Sequence, residues 1–230
     1  TFLGDGGLNA SGSRTGIEVF DRRDDHPAIV TYLDRPGDPV AIVRNHGALD
    51  AAASAGADAV ATGSVGTHLG CLPINRPSAF VFGATATIFH GGRYRAVADW
   101  EPRAVNGQLL GDDVDRAYVS PTQYQTLREV GLDPGHDGLA VLDPLHDAAT
   151  APGDGSTRLC GSAETGITHV RTPDDVQQRR LGTPLDGAEV RVVDGDERGP
   201  LAVSSDAAMS AYYERPSLAA ARIEEAHGTA

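Results

Sequence analysis

"GDPVAIVRNHGALDAAASAGADAVATG", residues 37–63, is the stretch on which the fold turns. Gly37, Asp38 and Pro39 read as a turn. The apolar run that follows predicts a buried strand over 37–45. Residues 46–57 are rich in helix formers and predict a short helix, with Gly56 as its stop. Residues 58–63 read as a second strand. Strand, helix and strand in that order predict a βαβ unit, hence a parallel sheet and the α/β class.

Working outward, the same reasoning covers most of the chain. "SAFVFGATATIFHGG" (78–92) is apolar without alternation, so periodicity leaves open a buried helix or a pair of buried strands. Residues 116–131 read as a strand, a turn at Pro121, and an amphipathic helix ended by Gly131. Residues 138–144 and 157–162 read as short buried strands. Residues 187–205 alternate around "DGDERG" and predict a β-hairpin. A short helical pattern begins at Pro216. Residues 1–16 are Gly- and Ser-rich and read as loop. The expectation is an α/β fold of parallel-sheet βαβ layers with a hairpin-rich C-terminal part. It has an irregular segment at 1–35, a core at 36–220 and a tail at 221–230.

The 230 residues are 40% hydrophobic and 22% charged, the balance of a globular chain. A net charge of −13 argues against nucleic acid and against anionic membrane surfaces as partners, since both need clustered cations. No apolar run is long enough to suggest a membrane span. The two cysteines, Cys71 and Cys160, are far apart and fit neither a zinc site nor a disulfide framework, so no metal centre is expected and a reducing cytoplasm is the expected location. All 19 cationic residues are arginine. Chemistry that needs a lysine base, a Schiff base or a P-loop lysine is therefore excluded within these residues.

Four stretches, in order, resemble the large N-terminal domain of the adenylate-forming superfamily: acyl-CoA and aryl-CoA synthetases, peptide-synthetase adenylation domains and luciferases. "PGDPVAIVRNHGALDAAASAGADAV" (36–60) is similar to the family's early strand, Asn-His and helix. "LPINRPSAFVFGATATIFHGGRYR" (72–95) resembles its acyl-pocket segment. "CGSAETG" (160–166) resembles its Tyr-Gly-x-Thr-Glu motif. "RLGTPLDGAEVRVVDGDERGPLAVSSDAAMSAYYERP" (180–216) resembles the hairpin that follows.

The resemblance implies activation of a carboxylate by ATP, giving an acyl-adenylate that a thiol then attacks. Such chemistry needs charge neutralisation and positioning. In the family the motif's glutamate holds Mg²⁺, the neighbouring hydroxyl binds the α-phosphate and the aromatic lies against adenine. On that match Glu164 takes the metal role. Ala163 stands where the threonine is usual and Cys160 where the tyrosine is usual, so a phosphate hydrogen bond and a stacking face are lost. One carboxylate holds Mg²⁺ only when phosphates share the work. The Ser/Thr/Gly-rich phosphate loop matches "ATGSVGTHLG" (61–70) by position and "NASGSRTG" (9–16) by composition, neither with its lysine. Phe80, Phe82 and Gly83, with Leu72 and Pro73, match the acyl pocket. Asn75 and Arg76 replace its aromatic-His pair. Arg76 is either a bidentate grip for a carboxylate or phosphate, or an exposed turn residue. Gly161, Ala163 and Thr165 complete the expected substrate-binding set. The ribose-binding Asp and the small C-terminal domain have no counterpart before residue 230.

Other chemistry stays open as well. Cys160 with His169, or Ser162 with a histidine and an Asp, is a candidate nucleophile pair, although most lone histidines are structural. "LHD" (145–147) and "DPGHD" (133–137) read as turns rather than metal sites. The expectation is a degenerate acyl/aryl-CoA synthetase-like protein. It binds an acyl or aryl carboxylate, or its CoA thioester, and catalyses an ATP-independent step such as acyl transfer, cyclisation or condensation in a biosynthetic pathway. No cofactor is required on this reading, while Mg²⁺ and ATP or AMP binding stay open. Two alternatives remain: a non-catalytic binding protein, and residual adenylation with a lysine from a partner. Apolar surface left by a missing domain predicts a homo-oligomer or a partner protein.

Overall fold

The computed structural model describes residues 23–33, 37–60, 66–111, 114–133, 139–144, 156–178, 180–193 and 201–224. Strand β1 (Pro27–Leu33) pairs antiparallel with β2 (Val40–Asn45). It lies inside the segment read as irregular. The short strand β12 (Ala211–Tyr212) pairs with the other edge of β2, completing a three-stranded antiparallel sheet.

This arrangement corrects the opening βαβ reading. The strand is present and helix α1 (His46–Val60) follows it directly. But α1 runs through Gly56 and takes in Asp58–Val60, so no strand begins there. Gly56 does not stop the helix because it serves a close approach instead. A Cβ at that position would lie 3.0 Å from Ala86 Cβ and 3.3 Å from the Phe82 carbonyl oxygen. Another helical segment crosses α1 at this point, and any side chain at position 56 would press on it.

The parallel character comes from the strands after α1. They are β3 (Thr67–Gly70), β4 (Arg93–Ala96), β5 (Arg116–Val119), β6 (Leu139–Pro144) and β7 (Arg158–Ser162). Two antiparallel strands follow, β8 (Gly166–Arg171) and β9 (Thr183–Pro184). The sheet order is β4-β3-β5-β6-β7-β8-β9, and the first five strands are mutually parallel. The expected α/β class with parallel layers therefore stands, on different strands from those that suggested it.

The ambiguous stretch 78–92 is helical. A π-helical segment (Ser78–Ala84) leads into α2 (Thr85–Phe89). Thr87 Oγ1 donates to the Gly83 carbonyl at 2.8 Å, and Thr85 bonds back to Val81 in the same way. Such hydroxyl back-bonding perturbs helical geometry locally. Helices α3 (Pro102–Leu109) and α4 (Pro121–Glu129) follow. The latter starts as read: Ser120 and Gln123 form a reciprocal capping box, and Pro121 sits in the first turn. Gly131 then ends it with φ +101°. Helix α5 (Pro173–Gln177) follows β8. Strands β10 (Ala188–Val192) and β11 (Leu201–Ser205) form the expected hairpin, whose "DGDERG" turn lies outside the described residues. Helix α6 (Pro216–Glu224) closes the described chain.

The large sheet has a core on each face. Phe82, Tyr118, Leu142 and Leu159 pack on the face of α1 and the π segment. Val119 and Val141 pack with Tyr124 and Leu127 of α4 on the other. Each fully buried side chain of this size contributes about 1.5–3 kcal/mol.

Candidate functional site

The motif at 160–166 lies at the carboxyl end of β7, the edge where open parallel sheets bind ligands. Ser162 pairs with Gly166 across a tight connection, and Gly166 adopts φ +84° to close it. A Cβ on Gly161 would collide with the Gly166 backbone. Ser162 Oγ accepts from the Glu164 and Thr165 amides at 3.2 and 3.0 Å and bonds Thr165 Oγ1 at 3.1 Å. Its hydroxyl is thus engaged in shaping the turn.

The small antiparallel sheet supplies the surroundings of that turn. Arg44, the last inward-facing residue of β2, is fully buried. Its Nη2 donates to the Ala163 carbonyl at 2.5 Å and to the Glu164 carbonyl at 3.3 Å, and its Nε donates to the Ala207 carbonyl at 3.0 Å. Its guanidinium carbon lies 5.9 Å from the centre of the Phe82 ring, a cation–π contact. Burial pushes its pKa down to about 10, against the attraction of the Glu164 carboxylate. Tyr212 of β12 donates its hydroxyl to Glu164 Oε1 at 3.1 Å. The Met209 amide donates to the Glu164 carbonyl at 2.7 Å.

The structure therefore joins Glu164, Ala163, Ser162, Thr165, Gly161 and Phe82 in one place and adds Arg44 and Tyr212. Phe80 is half-buried against the core, while Gly83 sits against the rings of Tyr118 and Tyr94. Asn75 and Arg76 are exposed in the turn before the π segment. Cys160 and His169 face each other in register across β7 and β8, 0% and 2% exposed respectively. His169 Nδ1 bonds Thr168 Oγ1 at 3.0 Å, and burial lowers the imidazole pKa. The loop at 9–16, residues 61–65, residues 134–137 and "LHD" at 145–147 lie outside the described residues.

Beside the turn opens a cavity of about 580 Å³. Ala51 and Ala55 of α1, Ile167, Val170, Leu185 and Ala207 give it apolar walls, and Asp58, Asp186 and Asp206 give it three carboxylates. None of the substrate-binding residues expected from the sequence lines it. Among the described residues, no group of three His, Cys, Asp or Glu side chains is placed to hold a metal ion, and no helix is long and apolar enough to cross a membrane.

The sheet order, the turn at the end of β7 and the hairpin after it define a fold class. The chain has the fold of part of the adenylate-forming enzymes, the class of acyl-CoA and aryl-CoA ligases. A malonyl-CoA ligase with methylmalonyl-CoA and AMP bound is 25% identical, with a TM-score of 0.69, over 86% of this chain and 48% of that one. O-succinylbenzoate CoA synthetase from Bacillus subtilis in complex with AMP is 19% identical, with a TM-score of 0.71, over 87% and 45%. The inhibitor-bound N-terminal domain of FACL13 from Mycobacterium tuberculosis is 18% identical, with a TM-score of 0.70, over 91% and 57%. The chain spans about half the length of these structures. No family model and no curated protein matches it.

Proposed function

We propose that this chain binds an acyl or aryl compound, as a carboxylate or a CoA thioester, and supports an ATP-independent step on it rather than adenylation. One observation carries the reading: Glu164 is already committed. Its carboxylate accepts from Tyr212 and faces the buried cation of Arg44. A magnesium ion would compete with that internal guanidinium for the one motif carboxylate, with Ala163 offering no phosphate-binding hydroxyl. These residues do not fit a magnesium–nucleotide. The acyl-CoA ligand of the similar malonyl-CoA ligase supports the ligand class.

The cavity refines the choice between acid and thioester. Among the described residues three aspartates and no cation line it, so a carboxylate end is repelled and the uncharged acyl end of a thioester is favoured. A second reading, binding without catalysis, draws on the burial of Cys160 and His169 and on the engagement of Ser162. Thermal shift tests the main reading. Acyl-CoA thioesters are expected to raise Tm more than their free acids, and ATP with Mg²⁺ to leave it unchanged. Pyrophosphate exchange with a panel of carboxylic acids is expected to stay at background, and clear exchange would overturn the proposal. Thioester turnover without ATP separates catalysis from binding.

A further inference from the structure

The β7–β8 pair carries a second polar cluster, on the sheet face opposite Leu159. Arg158 pairs with Arg171 and Cys160 with His169, so the four side chains stand together on one face. That face continues from Val141, the register partner of Arg158. All four residues are at most 2% exposed. Two guanidiniums side by side away from water repel each other and carry a desolvation cost of several kcal/mol per ion unless opposite charge meets them.

Arg171 is the residue whose fork no carboxylate bonds. Its Nε donates to the Arg180 carbonyl at 2.7 Å. Nη1 and Nη2 are both buried, and neither has a hydrogen-bond partner. Its stem is held against Gly182, where an added Cβ would lie 2.8 Å from Arg171 Cγ. The fork is therefore positioned, not drifting. Asp175 is near enough to feel Arg171, but its Oδ2 is engaged by the Thr172 amide and hydroxyl at 3.0 and 2.8 Å.

We infer that this face holds a buried oxyanion of the phosphate class, gripped by the paired Nη donors of Arg171 in the field of Arg158. A guanidinium fork matches two oxygens of one such ion. Nothing in the acyl-binding reading requires this site, which lies on the back of the sheet. Because the cluster is sealed, the ion exchanges through local opening and behaves as a structural ligand.

The test uses the whole chain, dialysed exhaustively against chloride. Inorganic phosphate at matched ionic strength is expected to raise Tm by several degrees, with acetate as the carboxylate arm and giving less. If the ion survives dialysis, ion chromatography of the acid-denatured protein recovers phosphate or sulfate in near-stoichiometric amount. Arg171→Met is expected to abolish both signals. Should that variant fail to fold, Arg171→Lys, which keeps the charge and loses the fork, is expected to weaken the phosphate response. A wild-type chain that neither retains an anion nor responds to phosphate overturns the inference, because Arg171 is then neutralised within the chain. A response undiminished in the folded Arg171 variant also overturns it, since phosphate then acts elsewhere.

Discussion

Arg44 and Arg171 are equally buried, yet their surroundings differ in kind. Arg44 meets three carbonyls, a carboxylate and an aromatic face and leaves one nitrogen, Nη1, unanswered. Arg171 meets one carbonyl and leaves two nitrogens unanswered. They flank opposite parts of one hairpin, the turn at its tip and the far end of its paired strands. A buried charge that faces a carboxylate and has most of its donors spent locks structure, whereas one whose whole fork is spare asks for a ligand. By that criterion the turn at 160–166 serves as a structural joint in the function proposed above. The ligand-seeking charge is on the other face.

The largest expected effect tests the first half of that contrast. Arg44→Met strips donors from the Ala163 and Ala207 carbonyls and leaves Glu164 facing an apolar side chain. The cost is expected to be about 3–5 kcal/mol, read by urea unfolding. In phosphate-free buffer Arg171→Met is expected to change stability by only about 1 kcal/mol in either direction, because an unpaired buried cation is replaced by an apolar chain of similar length. Equal losses in the two variants would erase the distinction.

Glu164 sharpens it further. Glu164→Gln keeps an acceptor for the Tyr212 hydroxyl but removes the charge facing Arg44. A loss of about 1–2 kcal/mol is expected, with Tyr212→Phe costing about 1 kcal/mol. On the proposed function, Glu164→Gln leaves any acyl-CoA response in place. Loss of that response in a stably folded variant would return Glu164 to the ligand.

Much of this was legible in the residues, and the gaps have physical reasons. The hairpin at 188–205 and the capped helix at 121–129 follow from local chemistry, namely alternation in one and Ser120, Pro121 and Gly131 in the other. Gly56 misled because its role is a contact with Ala86 and Phe82, distant in sequence. The strand pairing of residues 40–45 was not readable, since its partners at 27–33 and 211–212 carry no register signal. Arg44 did leave a trace. Val40, Ile42 and Arg44 alternate onto one buried face, so a charge sits at an inward position of an apolar strand. Such a break in pattern marks a site. Tyr212 left none beyond membership of a Tyr-rich turn. Cys160 and His169 stand in register across β7 and β8, but burial is a property of the packed sheet and not of either residue.

The smallest effect concerns His169, midway along the β7–β8 face. Burial lowers its pKa below the ordinary 6.5, and His68 is lowered by burial and by Arg116. In the unfolded chain each imidazole takes up a proton near 6.5, whereas the folded chain resists until lower pH. Unfolded molecules then bind more protons, so stability is complete above that value and declines as pH falls below it. Moving from about pH 7.5 to about pH 5.5 is expected to lower the urea midpoint, and His169→Gln to remove part of that decline, by less than about 1 kcal/mol. A bound oxyanion beside His169 opposes the same trend, because it favours the imidazolium. Added phosphate is therefore expected to flatten the pH dependence of the wild type and not that of His169→Gln. Equal flattening in both would place the anion away from this histidine.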